Sequence, residues 1–190
     1  MSKHLQRDLD SLNTELLNIS SMVEEMIDKA TQALADRRYD LADEVVKSDE
    51  FVDQHEVHVE EQGLKMLALH QPVAVDLRRI ATVMKVNNEL ERIADLAVSI
   101  AQRAQAVDEF PAFVIPERLP RMVVLATEMV RSSMNAFVNM DSAGAPGVVP
   151  VGRAVDRFHR AIIPGLATPV QNLPEAGPAA SPSILSSSEK

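Results

Sequence analysis

An apolar spacing of three and four, sustained over three long runs, most restricts what this chain can fold into. In the first run Leu5, Leu9, Leu12, Leu16, Ile19, Val23, Met26, Ile27, Ala30 and Leu34 keep that spacing. Residues three and four apart share one face of an α-helix, so residues 5–35 are predicted as a long amphipathic helix. The Asp36-Arg37-Arg38-Tyr39-Asp40 cluster predicts a turn, with Asp40 as the N-cap of the next helix. A second helix is predicted over residues 41–69. His70-Gln71-Pro72 ends it, and Pro72 suits the first turn of a third. Along the third, which runs to about Val107, the residues Val83, Val86, Leu90, Ala94, Ala97, Ala101 and Ala104 form the apolar face.

The composition agrees with an all-α protein. Aromatic residues are 3% and Trp is absent, so the core must be built from aliphatic side chains and Met. The absence of cysteine excludes disulfides, Cys-ligated zinc and thiol catalysis. The polar start Met-Ser-Lys-His-Leu-Gln-Arg-Asp lacks an apolar signal core, and no run of about 18 apolar residues predicts a membrane span. The expected location is the cytoplasm. A net charge of -9 argues against nucleic acid and anionic lipid as partners. Residues 1–110 carry 22 acidic against 12 basic residues; residues 111–190 carry 6 against 7. The acidity belongs to the first part of the chain.

Within that part the acids are ordered. Asp49, Asp53, Glu56 and Glu60 lie at i, i+4, i+7 and i+11, a stripe about 60° wide at roughly 100° per residue. Val45, Val52, Val59, Met66 and Leu67 project in nearly the same direction. Carboxylates brought to a helix interface cost several kcal/mol each if they are left without partners, so they need a basic group, solvent or a cation. On the third helix Glu91 and Asp95, one turn apart, fall beside the apolar stripe. Such spacing can offer oxygen ligands to a metal between helices, or form a solvated flank. His55 and His58 read His-Glu-x-His, one residue short of the zinc-protease spacing, and project away from the acids. Asp76, Arg78 and Arg79 open the third helix. The helix dipole accounts for Asp76; the two arginines are solvated or meet a partner.

Residues 109–118 read as a linker, and a fourth helix is predicted over 119–140 on Leu119, Met122, Val123, Leu125, Ala126, Met129, Val130, Met134 and Phe137. Seven of the 11 prolines lie beyond residue 145. One periodic piece is expected from Ala154 to Leu166, interrupted at Pro164, and residues 167–190 are expected to be a disordered Pro/Ser-rich tail. The chain also repeats. At an offset of 103, Glu25-Met26-Ile27 matches Glu128-Met129-Val130, Ala33-Leu34 matches Ala136-Phe137, and Val52-Asp53 matches Val155-Asp156. Asp49 then falls on Gly152, Glu56 on His159 and Glu60 on Ile163, while the counterpart of Glu91 falls past residue 190. The organisation expected is one complete three-helix unit over 1–108 and a partial second copy over 119–166. Asp156 is the one remnant of a second acidic site.

The segments Gln71-Pro72-Val73-Ala74-Val75-Asp76-Leu77-Arg78-Arg79-Ile80 and Lys85-Val86-Asn87-Asn88-Glu89-Leu90-Glu91-Arg92-Ile93-Ala94-Asp95 closely resemble the PhoU family, bacterial accessory proteins of phosphate signalling. The resemblance implies tandem three-helix bundles, here with the second incomplete. It implies metal-binding acidic pairs, which match Asp49 with Asp53 and Glu91 with Asp95, and the metals expected are iron, zinc, manganese or magnesium. Glu56, Asn87 and Ser99 are further candidate ligands; Ser99 stands where the family often carries Asn. The resemblance further implies a regulator rather than an enzyme, which restrains phosphate uptake and the starvation response. The expected partners are the ATPase of a phosphate ABC importer, a sensor histidine kinase and a second copy in a homodimer. Arg78 and Arg79 are candidate partner contacts. Two other readings remain: a structural helical module without metal, and a carboxylate-bridged dinuclear oxidase. The oxidase lacks the Glu-x-x-His pairs such sites use.

Overall fold

Two short turns set the topology. In the computed structural model, which describes residues 3–107, 113–141 and 145–171, α1 (Lys3–Asp36), α2 (Tyr39–His70) and α3 (Ala74–Val107) are joined by residues 37–38 and 71–73. Connections this short force consecutive helices to run antiparallel and side by side. At the first turn Arg37 takes a left-handed backbone (φ 55°), and the N–H of Arg38 donates to the carbonyl of Ala33 at 3.1 Å. That bond, from beyond the helix end back to its last turn, satisfies a carbonyl the helix leaves unpaired. α2 begins earlier than the sequence predicts. Arg38 occupies the N-cap with no side-chain cap bond, and Asp40 lies inside the first turn, accepting from Arg38 Nε at 2.8 Å. The ion pair with its neighbour, not a cap, explains Asp40. At the second turn Gln71 closes α2 with φ 45°, and Pro72 precedes α3 instead of entering it.

The three stripes meet in one core. Leu9, Leu16, Ile19, Val23 and Met26 of α1 are buried against Val45, Val52 and Val59 of α2 and Ile80, Val83 and Leu90 of α3. Burying each such side chain stabilises the fold by about 1.5–3 kcal/mol. The second half of α3 lines the core with Ala94, Ala97, Ala101 and Ala104, which lets neighbouring helices approach closely. Gly63 does the same on α2. A Cβ at this buried position would lie 2.9 Å from Met84 Cγ and 3.0 Å from its Sδ. Lys29 Nζ ties α1 to α2 through Glu44 at 2.9 Å, and Gln105 Nε2 ties α3 to α2 through Asp43 at 2.8 Å.

α4 (Leu119–Val138) packs on α1 and on α5 (Ala145–Gln171). Its Met134 is buried, with Val130 and Phe137 against the main core. The Arg131 guanidinium clasps the half-hidden Glu24 of α1, Nη2 at 2.7 Å and Nε at 2.8 Å. α5 is longer than the 154–166 piece expected from periodicity, and its backbone runs through Pro150 and Pro164. An interior proline loses one helical hydrogen bond and costs a few kcal/mol. Val148, Val151, Val155, Phe158 and Ile162 nevertheless keep a three-four face that is at least half-buried, and that packing carries the helix through Pro150. The expected tail beyond residue 171 lies outside the described residues. Among the described residues there is no strand, and no helix is long and apolar enough to cross a membrane.

Candidate metal centre

The acidic stripe of α2 sits at the margin of its buried valines. Asp49 and Glu56 are half-buried, while Asp53 and Glu60 are exposed. Its neighbour across the seam is the acidic flank of α3, where Glu91 is half-buried and Asp95 exposed. The electrostatic couplings give the pairing. Burial pushes the Asp49 carboxyl above the ordinary aspartate range, and the charges of Asp53 and Asp95 push it further. Glu91 is raised by burial, then by the charge of Asp95 and a hydrogen bond with it, then by Asp53 and Glu56 across the seam. Glu56 is raised by burial, then by Glu60 and Asp53. Asp95 of α3 thus acts on Asp49 of α2, and Asp53 and Glu56 of α2 act on Glu91 of α3. One number rises as the other falls, as an antiparallel helix pair requires.

Hydrogen bonds continue the register. With its amide oriented so that the nitrogen faces these oxygens, Asn88 donates to the carbonyl of Met84 at 2.9 Å and to Glu56 Oε1 at 3.2 Å. Asn87 is fully buried in the same seam and donates Nδ2 to the carbonyl of Glu56 at 2.9 Å. Its Oδ1 is buried without a hydrogen-bond partner. Ser99, one turn beyond Asp95, is half-buried.

Four of the predicted residues are therefore brought to one seam: Asp49, Asp53, Glu91 and Asp95. None of them makes an ion pair with Lys or Arg among the described residues. Like-charged neighbours raise the pKa of a carboxyl because each disfavours the ionised form of the next. A cation reverses that sign. The donor set, carboxylates plus the orphaned amide oxygen of Asn87, suits a cation that prefers oxygen. The side chains are not gathered for one as they stand. Among the described residues no three His, Asp or Glu groups converge on a point that could hold a metal ion. The stripe was expected to be set into the apolar face. Its members lie instead along the edge of that face, because the valines one step round the helix take the interior.

The other candidates lie elsewhere. Asp156 is exposed on α5, which packs on α4. His55 Nδ1 faces Glu15 of α1 at 3.7 Å, and His58 is exposed, both away from the seam as their phase predicts. Arg78 is exposed and Arg79 half-buried; both line a cavity between α1, α3 and the end of α4. Sequence reasoning missed Asn88 as a partner of Glu56. The signal was available in the constant antiparallel register, which only becomes usable once the length of the α2–α3 turn is known.

Comparison with known proteins meets this geometry from another side. The PhoU domain matches residues 16–104, from the middle of α1 to the last turn of α3. A "Phosphate-specific transport system accessory protein PhoU homolog" of Aquifex aeolicus is 35% identical over 155 residues, 82% of this chain and 70% of that one. The "Phosphate-specific transport system accessory protein PhoU" of Escherichia coli is 30% identical over 177 residues, 88% of this chain and 71% of that one. Among solved structures, the crystal structure of PhoU from Pseudomonas aeruginosa superposes with a TM-score of 0.83 at 29% identity, covering 90% of this chain and 82% of that one. Coverage of that extent includes α4 and α5 as well as the three-helix bundle.

Proposed function

Because the chain belongs to the PhoU family, we propose that it is an accessory regulator of phosphate transport that acts by binding. The observation that carries this reading is the 35% identity to an accessory protein of the phosphate-specific transport system, 70% of whose length the chain covers. The partners are the ATPase subunit of a phosphate ABC importer and a phosphate-sensing histidine kinase, met on the cytoplasmic side of the membrane, with a second copy of the chain as a further partner.

In the same reading Asp49, Asp53, Glu91 and Asp95 hold a cation between α2 and α3. What supports it is their concentration in one seam without basic partners, with Asp49 and Glu91 raised by their neighbours. Iron, zinc, manganese or magnesium, when bound, supplies the positive charge that the seam lacks. The chain's own residues do the rest. The α2–α3 turn fixes the antiparallel register, the valines hold the two helices in contact, and Asn87 and Asn88 anchor Glu56. A seam relieved of repulsion presents stiffer outer faces of α2 and α3 to a partner.

The test is metal content by elemental analysis, together with a pull-down against the purified importer ATPase at high and low phosphate. It compares the wild-type chain with Asp49→Asn/Asp95→Asn. Metal bound stoichiometrically and lost in the variant is the expected result. Metal absent from both proteins, with ATPase binding unchanged, leaves a regulator that works as a helical module without a cation. Failure to bind the ATPase or the kinase at any phosphate level removes the partner assignment.

A further inference from the structure

The outer faces of α2 and α5 carry opposite charge at matching positions of the repeat. Along α2 the stretch from Ser48 to Leu64 holds six carboxylates and no Lys or Arg. Glu50 and Glu61 are exposed on the outside of the helix, with Val57 and Leu64 beside them at 50% and 52% accessible. At roughly 100° per residue these four fall within about 60° of one another. The nearest cations in the sequence, Lys47 and Lys65, stand outside the stretch, and Arg92 of α3 is already engaged by Glu89 at 2.9 Å. On α5 the exposed Arg153, Arg157 and Arg160 lie at i, i+4 and i+7, with Val149, 54% accessible, on the same side. These three arginines make no ion pair among the described residues, with Asp156 or with any other acid. The repeat offset of 103 sets the two faces in correspondence. Val46 falls on Val149, Glu50 on Arg153, Gln54 on Arg157 and Val57 on Arg160. One and the same face is therefore acidic in the first unit and basic in the second.

We propose that the arginine face of α5 docks on the acidic outer face of α2 of a second copy of this chain. Arg153, Arg157 and Arg160 meet Glu50 and Glu61, and Val149 adds its apolar surface to that of Val57 and Leu64. Charge decides the occupant. Two acidic faces repel, as do two basic ones, whereas one of each attracts. The chain itself carries the basic face that its acidic face calls for. Arg is also the side chain best shaped to hold carboxylates in a forked pair. Because the two faces differ, the contact is heterologous: it closes as a dimer where both faces of each molecule engage, and extends into chains otherwise. The proposal rests on the reading of a second copy as a partner and deepens it by naming the surface. It leaves the cation seam alone, since Glu50 and Glu61 are not among the four carboxylates assigned to the cation.

The test is sedimentation of the full chain over micromolar to near-millimolar concentrations, with circular dichroism to check that each variant stays helical. Self-association is expected, weakened in about 1 M salt, where the screening length falls to about 3 Å. Glu50→Arg/Glu61→Arg and Arg153→Glu/Arg157→Glu, all at exposed positions, are each expected to weaken it at least about tenfold. Each Glu→Arg change adds two charges, so the α2 variant takes the net charge from -9 to -5. General repulsion would then strengthen association, and a loss reports the specific contact. An equal mixture of the two variants is expected to associate, because each reversed face meets its opposite. Lys85→Glu, on the outside of α3, is expected to leave association as it is. The proposal is overturned if both double variants associate like wild type, if the mixture is no better than either variant alone, or if Lys85→Glu weakens association equally. Capture by phosphatidylglycerol vesicles that needs the α5 arginines, without self-association, gives that face to a membrane and overturns it too. Association that every variant retains keeps the second copy and removes only this surface. A chain monomeric throughout removes both, while the ATPase pull-down judges the regulator reading separately.

Discussion

Neutralising Asp49 should change the sign of its effect when a cation is added. The half-buried Asp49 carboxylate is disfavoured by burial first, then by the charges of Asp53 and Asp95. A like-charged neighbour on a helix surface costs about 0.2–0.5 kcal/mol, and Asp49 has two. Asp49→Asn keeps the shape of the side chain and removes the charge, so without metal it should stabilise the protein by about 0.5–1 kcal/mol at pH 7. For a chain of this size that raises the melting temperature by about 1–4 °C. The gain should shrink in about 1 M monovalent salt, where the screening length falls to about 3 Å. A bound cation inverts the order. At a free concentration of 100 times Kd it stabilises the wild type by about 2.7 kcal/mol. Asp49→Asn, having lost a donor, should gain much less and melt below the wild type. Thermal melts followed by circular dichroism, in chelator and then in millimolar manganese, magnesium, zinc or ferrous iron, read both arms. If Asp49→Asn melts lower than wild type in chelator, the seam is not a site of net repulsion and the electrostatic reasoning fails. If no cation moves the wild-type midpoint, the seam holds none.

The pH dependence follows from the same groups. Asp49, Glu56 and Glu91 have folded pKa values above their unfolded ones, so the folded state binds protons first as pH falls. Without metal, stability should therefore rise from pH 7 toward about 5, just above the ordinary carboxylate range, as measured by urea unfolding. Below that range Asp8 acts oppositely: its pKa is lowered by the hydrogen bond with His70, so its contribution is present above the unfolded value and lost as pH falls through the folded one. A flat profile from pH 7 to 5 would contradict the couplings across the seam. Gly63→Leu should cost about 1–3 kcal/mol in denaturant melts, because the side chain must displace Met84 or force α2 from α3. Arg131→Ala leaves Glu24, whose side chain is 13% exposed, with the hydroxyl of Ser20 at 3.3 Å as its one remaining side-chain partner among the described residues. The change should speed hydrogen exchange in α4 well before α1–α3 respond.

The sequence by itself determined the helices and their inner faces. Residues at three-four spacing must share a face whatever surrounds them, so the valines of α2 and the alanines of α3 were legible as core, and the short breaks between runs imposed antiparallel neighbours. The acidic stripe was legible for the same reason, since phase around a helix is a local property. Ends were less legible. Asp40 looked like a cap, but the cap depends on where the preceding helix lets go, and the left-handed turn at Arg37 moved it. The three-four face of α5 was partly visible. Prolines are expensive locally, and only packing against α4 shows that the helix continues through Pro150.

Only the tertiary structure decided which acids face each other. The charge of Asp95 reaches Asp49, and those of Asp53 and Glu56 reach Glu91, because the α2–α3 turn fixes one register among several the sequence allows. The same holds for the apolar cavity with its arginine rim, where Leu9, Val75, Arg78 and Met140 come from three distant parts of the chain. Periodicity says which side of a helix is apolar. It does not say which other helix lies against that side, or at what height, because those are set by turn length and by the fit of side chains between elements.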